Sequence, residues 1–315
     1  MRAIARKFKI KPRRIIPVQN GVYRLILRNG KAYCLKRMPV STKKLRWIDQ
    51  SLQFIRKKGF NRIGWRNPYS KEGKRRFVSH GRFSYILTPW ILGRWPSPTS
   101  SSDMRACGAA LARFHQASTK NYHLRNHSAN MVGKWPADFR EKHIFLSKQA
   151  EKVFLKKQVG EILKYSKQTL KSLKKHNYQK VCRAHPKRSV LCHGDGGPTN
   201  FIINKKGIHL IDFETLRIDL RAYDLYRMIY NSCKDHGWKF EIAKNILEGY
   251  QSISKLKKVD FRMISVLLRF PQTTYLLFRS LRHQKNHRKS VAIQALQAER
   301  KVSAFIKKLD RFSRK

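Results

Sequence analysis

The chain has 315 residues of which 41% are hydrophobic, enough to bury one large core or two modest ones and too apolar for a disordered polymer. Its 71 Lys and Arg against 18 Asp and Glu give a formal charge of +53 and a pI near 10.9, a statement about solubility and attraction to polyanions and not about fold. Five cysteines without CxxC spacing argue against a zinc site or disulfide framework, no apolar run reaches the roughly 18 residues of a membrane span, and the start MRAIARKFKIKPRR lacks the apolar stretch of a secretory signal, so synthesis in the cytoplasm is expected.

Residues 15–37 read as strands: IIPV, a turn at Gln19-Asn20-Gly21, VYRLILR, a two-residue turn at Asn29-Gly30, then KAYCLKR. With residues 29 and 30 as the loop, Tyr23 is expected opposite Lys36. The stretch STKKLRWIDQSLQFIRKKGF predicts a helix with Ser41 or Thr42 as N-cap and Gly59 as its stop. A second hairpin is expected around KEGK (71–74), and FSYILTPWI ends the segment at Pro89. Strands, one helix and more strands describe a small α+β unit, residues 1–89. After the connector WPSPTSSS (95–102) the character turns helical. SSDMRACGAALARFHQAS puts Met104, Cys107, Leu111 and Phe114 on one stripe behind a polar cap at Ser102 or Asp103. One or two basic amphipathic helices follow over 144–176, and further helical patterns run over 223–236, 239–254, 260–282 with a kink at Pro271, and 287–312.

Between them lies an acidic island. Five of the 18 acids (Asp195, Asp212, Glu214, Asp219, Asp224) fall within residues 195–224, where an even spread would put about two. FIIN (201–204) and IHLID (208–212) read as a hairpin closed by Lys205-Lys206-Gly207, so that Asn204 pairs with Ile208 and Asn200 faces Asp212. An amide oxygen and a carboxylate converging there suit Mg²⁺, which keeps room in its shell for phosphates. The irregular GDGGPT loop can return Asp195 to the same end, where a carboxylate is placed to take a proton from an attacking hydroxyl. Glu214 and Asp219 are expected to pair with surface arginines such as Arg217 and Arg221.

At these residues the chain resembles a known superfamily. HGDGGPTN looks like the HGDxxxxN catalytic loop of the aminoglycoside phosphotransferases and choline kinases, and IDFE like their metal-binding motif. YCLKR, GRFSYILTPWILGR and GAALARFHQAS extend the resemblance over nearly the whole chain and are similar to the CotS-type spore coat family within that superfamily. The resemblance implies a two-lobed, protein-kinase-like fold, with a strand-rich lobe of residues 1–89 covering the nucleotide and a helical lobe of 90–315 holding the catalytic loop. It implies ATP and Mg²⁺ as cofactors, Asp195 as catalytic base, Asn200 and Asp212 as metal ligands, and Lys36 on the α- and β-phosphates. Thr88, Pro89 and Trp90 would be the hinge that meets adenine, His193 an organiser of the loop, and Asp224 the acid bracing it from below.

The pattern departs in two places. There is no GxGxxG in the first turn, and the glutamate that usually pairs with the strand lysine is missing. Between Arg37 and Leu87 the only acids are Asp49 and Glu72, so Asp49 is the expected substitute. Two functions of different class follow: an ATP-dependent kinase acting on a hydroxyl or amine of an unknown small molecule, or a non-catalytic component of the spore coat held by charge to anionic coat proteins. A binder of polyanions in general ranks third, since no sequence-specific nucleic-acid signature accompanies the charge. The scarcity of carboxylates beyond Asp224 leans towards a neutral or anionic acceptor.

Overall fold

The computed structural model describes residues 1–314 apart from 73, 120–127, 153–155, 185–188 and 281–287. Helix α1 (Arg2–Lys7) precedes strands β1 (Arg14–Gln19), β2 (Val22–Ile26) and β3 (Ala32–Met38), helix α2 (Thr42–Lys57), and strands β4 (Val78–His80) and β5 (Phe83–Pro89). The five strands form one antiparallel sheet in the order β1-β2-β3-β5-β4. Helices α3 (Ser101–Ala117), α4 (Trp135–Ala150), α5 (Lys156–Lys175) and α6 (Tyr178–Ala184) follow. Then come strands β6 (Ser189–Cys192), β7 (Phe201–Asn204), β8 (Gly207–Leu210) and β9 (Arg217–Leu220). The chain closes with α7 (Arg221–Cys233), α8 (Phe240–Gln251), α9 (Lys258–Leu268), α10 (Gln272–Ser280) and α11 (Arg288–Phe312). A small strand-rich sheet and a larger helical region make the kinase-like α+β fold expected from the sequence.

Two cores hold it. A small one fills the space between α1 and the sheet, where Ile4, Ala5, Phe8 and Ile10 meet Leu25, Leu35, Tyr85 and Leu87. The large one crosses the connector: Leu45, Ile48, Leu52 and Ile55 of α2 share it with Phe114, Phe213 and the helices beyond. Hairpin β7–β8 is clamped on both edges, which leaves no open strand. Gly64 N donates to Leu210 O at 2.7 Å on one side, and Arg94 N donates to Ile203 O at 3.0 Å on the other.

Several local readings move by a residue or more. Lys36 lies opposite Val22, not Tyr23, because the β2–β3 turn has three loop residues: Leu27 N donates to Lys31 O and Gly30 takes the left-handed conformation (φ +76°). The second hairpin turns at Gly81-Arg82, pairing His80 with Phe83, and not at KEGK, whose Gly73 lies outside the described residues. The α3 cap is Ser100, whose hydroxyl accepts from Asp103 N at 3.3 Å. Pro271 ends α9 and opens α10 instead of kinking one helix, as the missing N–H predicts; positions 281–282 and 287 of the expected helices, and 153–155 between α4 and α5, lie outside the described residues. Ser41 caps α2 as expected, accepting from Lys44 N at 3.2 Å, and Gly59 beyond it is left-handed (φ +90°).

Helices α3 and α8 cross where neither has a side chain. A Cβ on Gly108 would stand 2.1 Å from Ile246 O, and one on Gly249 2.0 Å from Arg105 O. Only backbone meets backbone there. Gly108→Ala is therefore expected to destabilise the protein by about 2–3 kcal/mol, the upper part of the overpacking range, although alanine favours helix. Chemical denaturation measures it, and an unchanged or raised midpoint would show that the helices separate freely.

Candidate active site

Strand β6 delivers the chain into the loop His193-Gly194-Asp195. Gly194 is left-handed (φ +86°), and a Cβ there would lie 2.2 Å from Thr215 O, so the loop folds only around glycine. Thr215 Oγ1 donates to His193 O at 2.9 Å and ties the loop to the segment after β8. From below, the wholly buried Asp224 accepts from His193 N at 2.6 Å and from Gly194 N at 2.8 Å. Its Oδ2 also meets His115 Nε2 of α3 at 3.0 Å, and the other ring nitrogen meets Tyr250 Oη of α8 at 2.9 Å. Burial alone would raise the Asp224 carboxyl; the His115 hydrogen bond, the charges of His115 and His193 and the Gly194 amide outweigh it and hold the group below its ordinary value. His193 points its Nε2 at Ile211 O, 2.7 Å away, and stacks at a tilt on Phe213 with centroids 4.9 Å apart. These contacts tie the loop to the segment after β8.

Asp195, next on this loop, keeps its side chain 40% exposed. Asn200 Nδ2 donates to Asp195 O at 2.7 Å and to its Oδ2 at 3.3 Å. The β7–β8 register is one residue tighter than the sequence suggested: Asn204 pairs with Gly207 across a two-residue turn, with Asn204 Oδ1 accepting from Lys206 N at 2.9 Å. Asn200 O consequently accepts from Ile211 N at 3.0 Å, and Asp212 is not its cross-strand partner but the next residue on. A slip of one residue ordinarily sends a side chain to the opposite face. Here Asp212 adopts a left-handed backbone (φ +65°), a conformation Asp tolerates better than most residues, and its carboxylate reaches across to β3.

There Lys36 Nζ lies 2.5 Å from Asp212 Oδ1 and 3.0 Å from Glu214 Oε2. Burial works to lower the lysine, but the two carboxylates win and raise it, so the ammonium stays charged. Glu214 therefore supplies the partner that α2 lacks, and among the described residues it pairs with Lys36 and not with a surface arginine. Asp49 is no substitute: it is buried against Arg66, whose Nε and Nη2 donate to it at 2.6 and 2.5 Å, and accepts from Trp65 Nε1 at 2.9 Å. Its side chain secures α2 to the 65–66 segment and supports the site only through the core. Asp219 pairs with Arg217 at 2.6 Å, as expected, yet the pair is interior: Asp219 is fully buried, and Trp135 Nε1 donates to it at 2.9 Å. Arg221 goes to Asp260 at 2.7 Å instead.

The expected hinge borders β3. Thr88 pairs with Cys34, Pro89 with Tyr33, and Trp90 N donates to Ala32 O at 3.1 Å, while Arg24 stacks 5.1 Å over the Trp90 ring. Burial pushes the Cys34 thiol in this strand up to about 11, so it stays protonated. Two residues that the sequence reading missed touch Asp195: Arg227 Nη2 donates to Oδ1 at 2.5 Å and Asn231 Nδ2 donates to it at 3.2 Å. Asp224, Arg227 and Asn231 are three and four apart on α7, a polar stripe legible by helical spacing. Burial would raise Asp195, but the bond and charge of Arg227 and the Asn231 amide hold it below its ordinary value.

The donor set fits a hard cation. Asn200 spends its Nδ2 on Asp195, which leaves Oδ1 without a hydrogen bond among the described residues, and Asp212 keeps a second oxygen beyond the one on Lys36. An amide oxygen and a carboxylate are oxygen ligands of the kind Mg²⁺ takes, with phosphates filling the shell. The five cysteines are free thiols, as their spacing suggested. Among the described residues no helix is long and apolar enough to cross a membrane.

The sequence pattern of the phosphotransferase enzyme family matches residues 16–258. In three dimensions the chain is similar to an aminoglycoside phosphotransferase from Alicyclobacillus acidocaldarius, with a TM-score of 0.77 and 19% identity, over 100% of this chain and 96% of that one. It is similar to a microcompartment-associated aminopropanol kinase at a TM-score of 0.68 and 15% identity, over 94% of this chain and 91% of that one. An amicoumacin kinase in complex with AMP-PNP, Ca²⁺ and Ami matches at a TM-score of 0.63 and 14% identity, over 96% of this chain and 90% of that one. At such identities the likeness speaks for the fold of small-molecule kinases.

Asp224→Ala strips the partner from two buried amides and one imidazole, and an expected loss of at least about 3 kcal/mol follows from about 1–3 for each of the three orphaned donors. The contribution has a sign in pH as well. Because the folded-state value is depressed, the stabilisation is complete above the unfolded value of about 3.9 and disappears as pH falls through the folded value. Acid titration of the melting temperature should show this loss in the parent and a smaller one in the Asp224→Ala variant.

Proposed function

Because the chain belongs to the phosphotransferase enzyme family, we propose that it is an ATP- and Mg²⁺-dependent kinase of a hydroxyl or amine on a small molecule. The observation that carries this reading is the convergence of Asp195, Asn200, Asp212 and Lys36 from a loop, two hairpin ends and the opposite sheet. In this reading residues 1–89 cover the nucleotide, the backbone of Thr88 to Trp90 receives adenine, and Lys36 meets the α- and β-phosphates with Glu214 holding its ammonium in place. Asn200 and Asp212 would hold Mg²⁺, which neutralises charge on the phosphates. Asp195 takes the acceptor's proton, and Asp224 and His193 keep it at the required position.

The two aspartates separate under mutation. Asp212→Asn keeps a residue at home in the left-handed region while removing the charge, so stabilisation by Mg·ATP, about 2.7 kcal/mol at a hundredfold excess over Kd, should largely vanish. Asp195→Asn should retain that stabilisation and lose about 10²–10⁴-fold in turnover, the usual worth of a positioned base. Melting curves and ADP release read both. No response of the parent to Mg·ATP would end the kinase reading.

A second reading is a kinase-fold component of the spore coat, made in the cytoplasm and laid on an anionic layer. The charge of +53 and the pairing of Asp195 with Arg227 favour it. In either reading heparin binding should weaken steeply and linearly in log salt, without preference among DNA sequences, because it arises from counterion release. A sequence preference that survives high salt would contradict it.

A further inference from the structure

On the α7 side of Asp195 the wall presents cations where a receptor for cationic molecules would present carboxylates. Arg227 holds Asp195 Oδ1 at 2.5 Å, and its Cζ lies 5.8 Å over the ring of Tyr230. Arg217 Cζ stands 3.9 Å over the ring of Tyr223, one turn before Arg227 on the same helix. Lys142 of α4 lies 5.0 Å over Phe139 and 5.7 Å over Tyr275. These groups are near enough to feel one another: burial first, then the charges of Arg217 and Arg227 set against Asp138, hold the Lys142 ammonium below its ordinary value. The carboxylates of this wall are spoken for. Asp219 is fully buried on Arg217, and Asp138 lies 2.6 Å from Lys142. The Nε atoms of Arg217 and Arg227 have no hydrogen-bond partner among the described residues but are closed to solvent, so an acceptor would meet the Nη atoms.

The Arg227 contact opposes catalysis as it stands. Together with the Asn231 amide it occupies Oδ1 of Asp195, so an acceptor hydroxyl reaches that oxygen only when the guanidinium moves away. A planar guanidinium binds a carboxylate or phosphate best through two parallel hydrogen bonds, and a single Nη2 contact to Asp195 is a poorer partner than a free oxyanion would be. We propose that the acceptor carries an oxyanion beside its reacting hydroxyl, and that Arg227 binds this group and so releases Asp195. The inference rests on the kinase reading and names the acceptor class for that same site. The acceptor oxygen then bonds to the γ-phosphorus of ATP. The bond from that phosphorus to the β,γ-bridging oxygen breaks with its electron pair leaving on ADP, and the hydroxyl proton passes to Oδ1 of Asp195. Without the oxyanion the base stays latched, and ATP is protected from water.

Three probes on one three-carbon skeleton and of different charge test this on the full chain with Mg·ATP: glycerate, glycerol and 3-amino-1,2-propanediol, read as ADP release. Glycerate should accelerate release above the background in water, and the neutral and cationic probes should not. Arg227→Gln should lower kcat/KM for glycerate by about 10- to 100-fold, chiefly through KM, as expected for a lost charge-assisted contact. The same variant should raise the water background, because its Asp195 is unlatched, and Arg227→Lys should restore part of the glycerate response. A preference for the neutral or cationic probe, no acceleration by glycerate, or an order of probes unmoved in Arg227→Gln overturns the proposal. Mg·ATP melting shifts on the same samples separate the two failures: a missing shift in the parent defeats the kinase reading itself, whereas a normal shift with any overturning result defeats only the anionic acceptor.

Discussion

A single buried carboxylate organises this molecule. Asp224 has no contact with water, and a lone charge in such a place would be prohibitively costly. It is tolerated because two backbone amides of the catalytic-type loop and the His115 ring all donate to it, and the ring continues to Tyr250. The chain of contacts joins α7, α3 and α8 to the loop after β6. Helices α3 and α8 are free to approach closely enough for it because glycines stand at their crossing. The loop's shape is thus an outcome of helix packing, and the orientation of Asp195 inherits the rigidity of the core.

Scarce acidity is spent inside the protein. Each of the five acids of the island has a cationic or imidazole partner: Asp195 has Arg227, Asp212 and Glu214 share Lys36, Asp219 has Arg217, and Asp224 has His115. In the partly desolvated cleft these pairings matter far more than the same pairs would on the surface, where water and salt screen them. Many of the remaining cations face solvent, where their mutual repulsion costs stability but favours solubility and contact with polyanions. A basic exterior and an acid-lined cleft are therefore two consequences of one allocation.

The lysine arrangement shows how a site tolerates the loss of a usual member. Asp49 sits on the helix where a partner for Lys36 was expected, yet its carboxylate turns to Arg66 and Trp65 in the core. Glu214, from the other side of the cleft, does the pairing. A carboxylate of either origin serves, since the requirement is a nearby negative charge and not a particular backbone position.

Much of this was legible in the chain itself. Motif spacing singled out Asp195, Asn200 and Asp212 as candidates and the resemblance added Lys36 and Asp224, while hydrophobic periodicity located the strands before Pro89 and the helices after it, because local patterns of polarity and turn residues act over a few positions only. The registers were misjudged by one residue at both hairpins, since Gly30 and Gly207 admit backbone conformations that lengthen one loop and shorten the other. The left-handed turn at Asp212 that brings its carboxylate to Lys36 could not be read from spacing. Nor could the partners His115, Glu214 and Arg227 be assigned, although Arg227 shares a helical stripe with Asp224. The sequence by itself determined which residue types were available and on which element each would lie. Only the tertiary structure decided which charges meet, because contacts across more than a hundred residues, such as His115 with Asp224 and Lys36 with Asp212, depend on how whole elements pack and on which pairings the desolvated interior can satisfy.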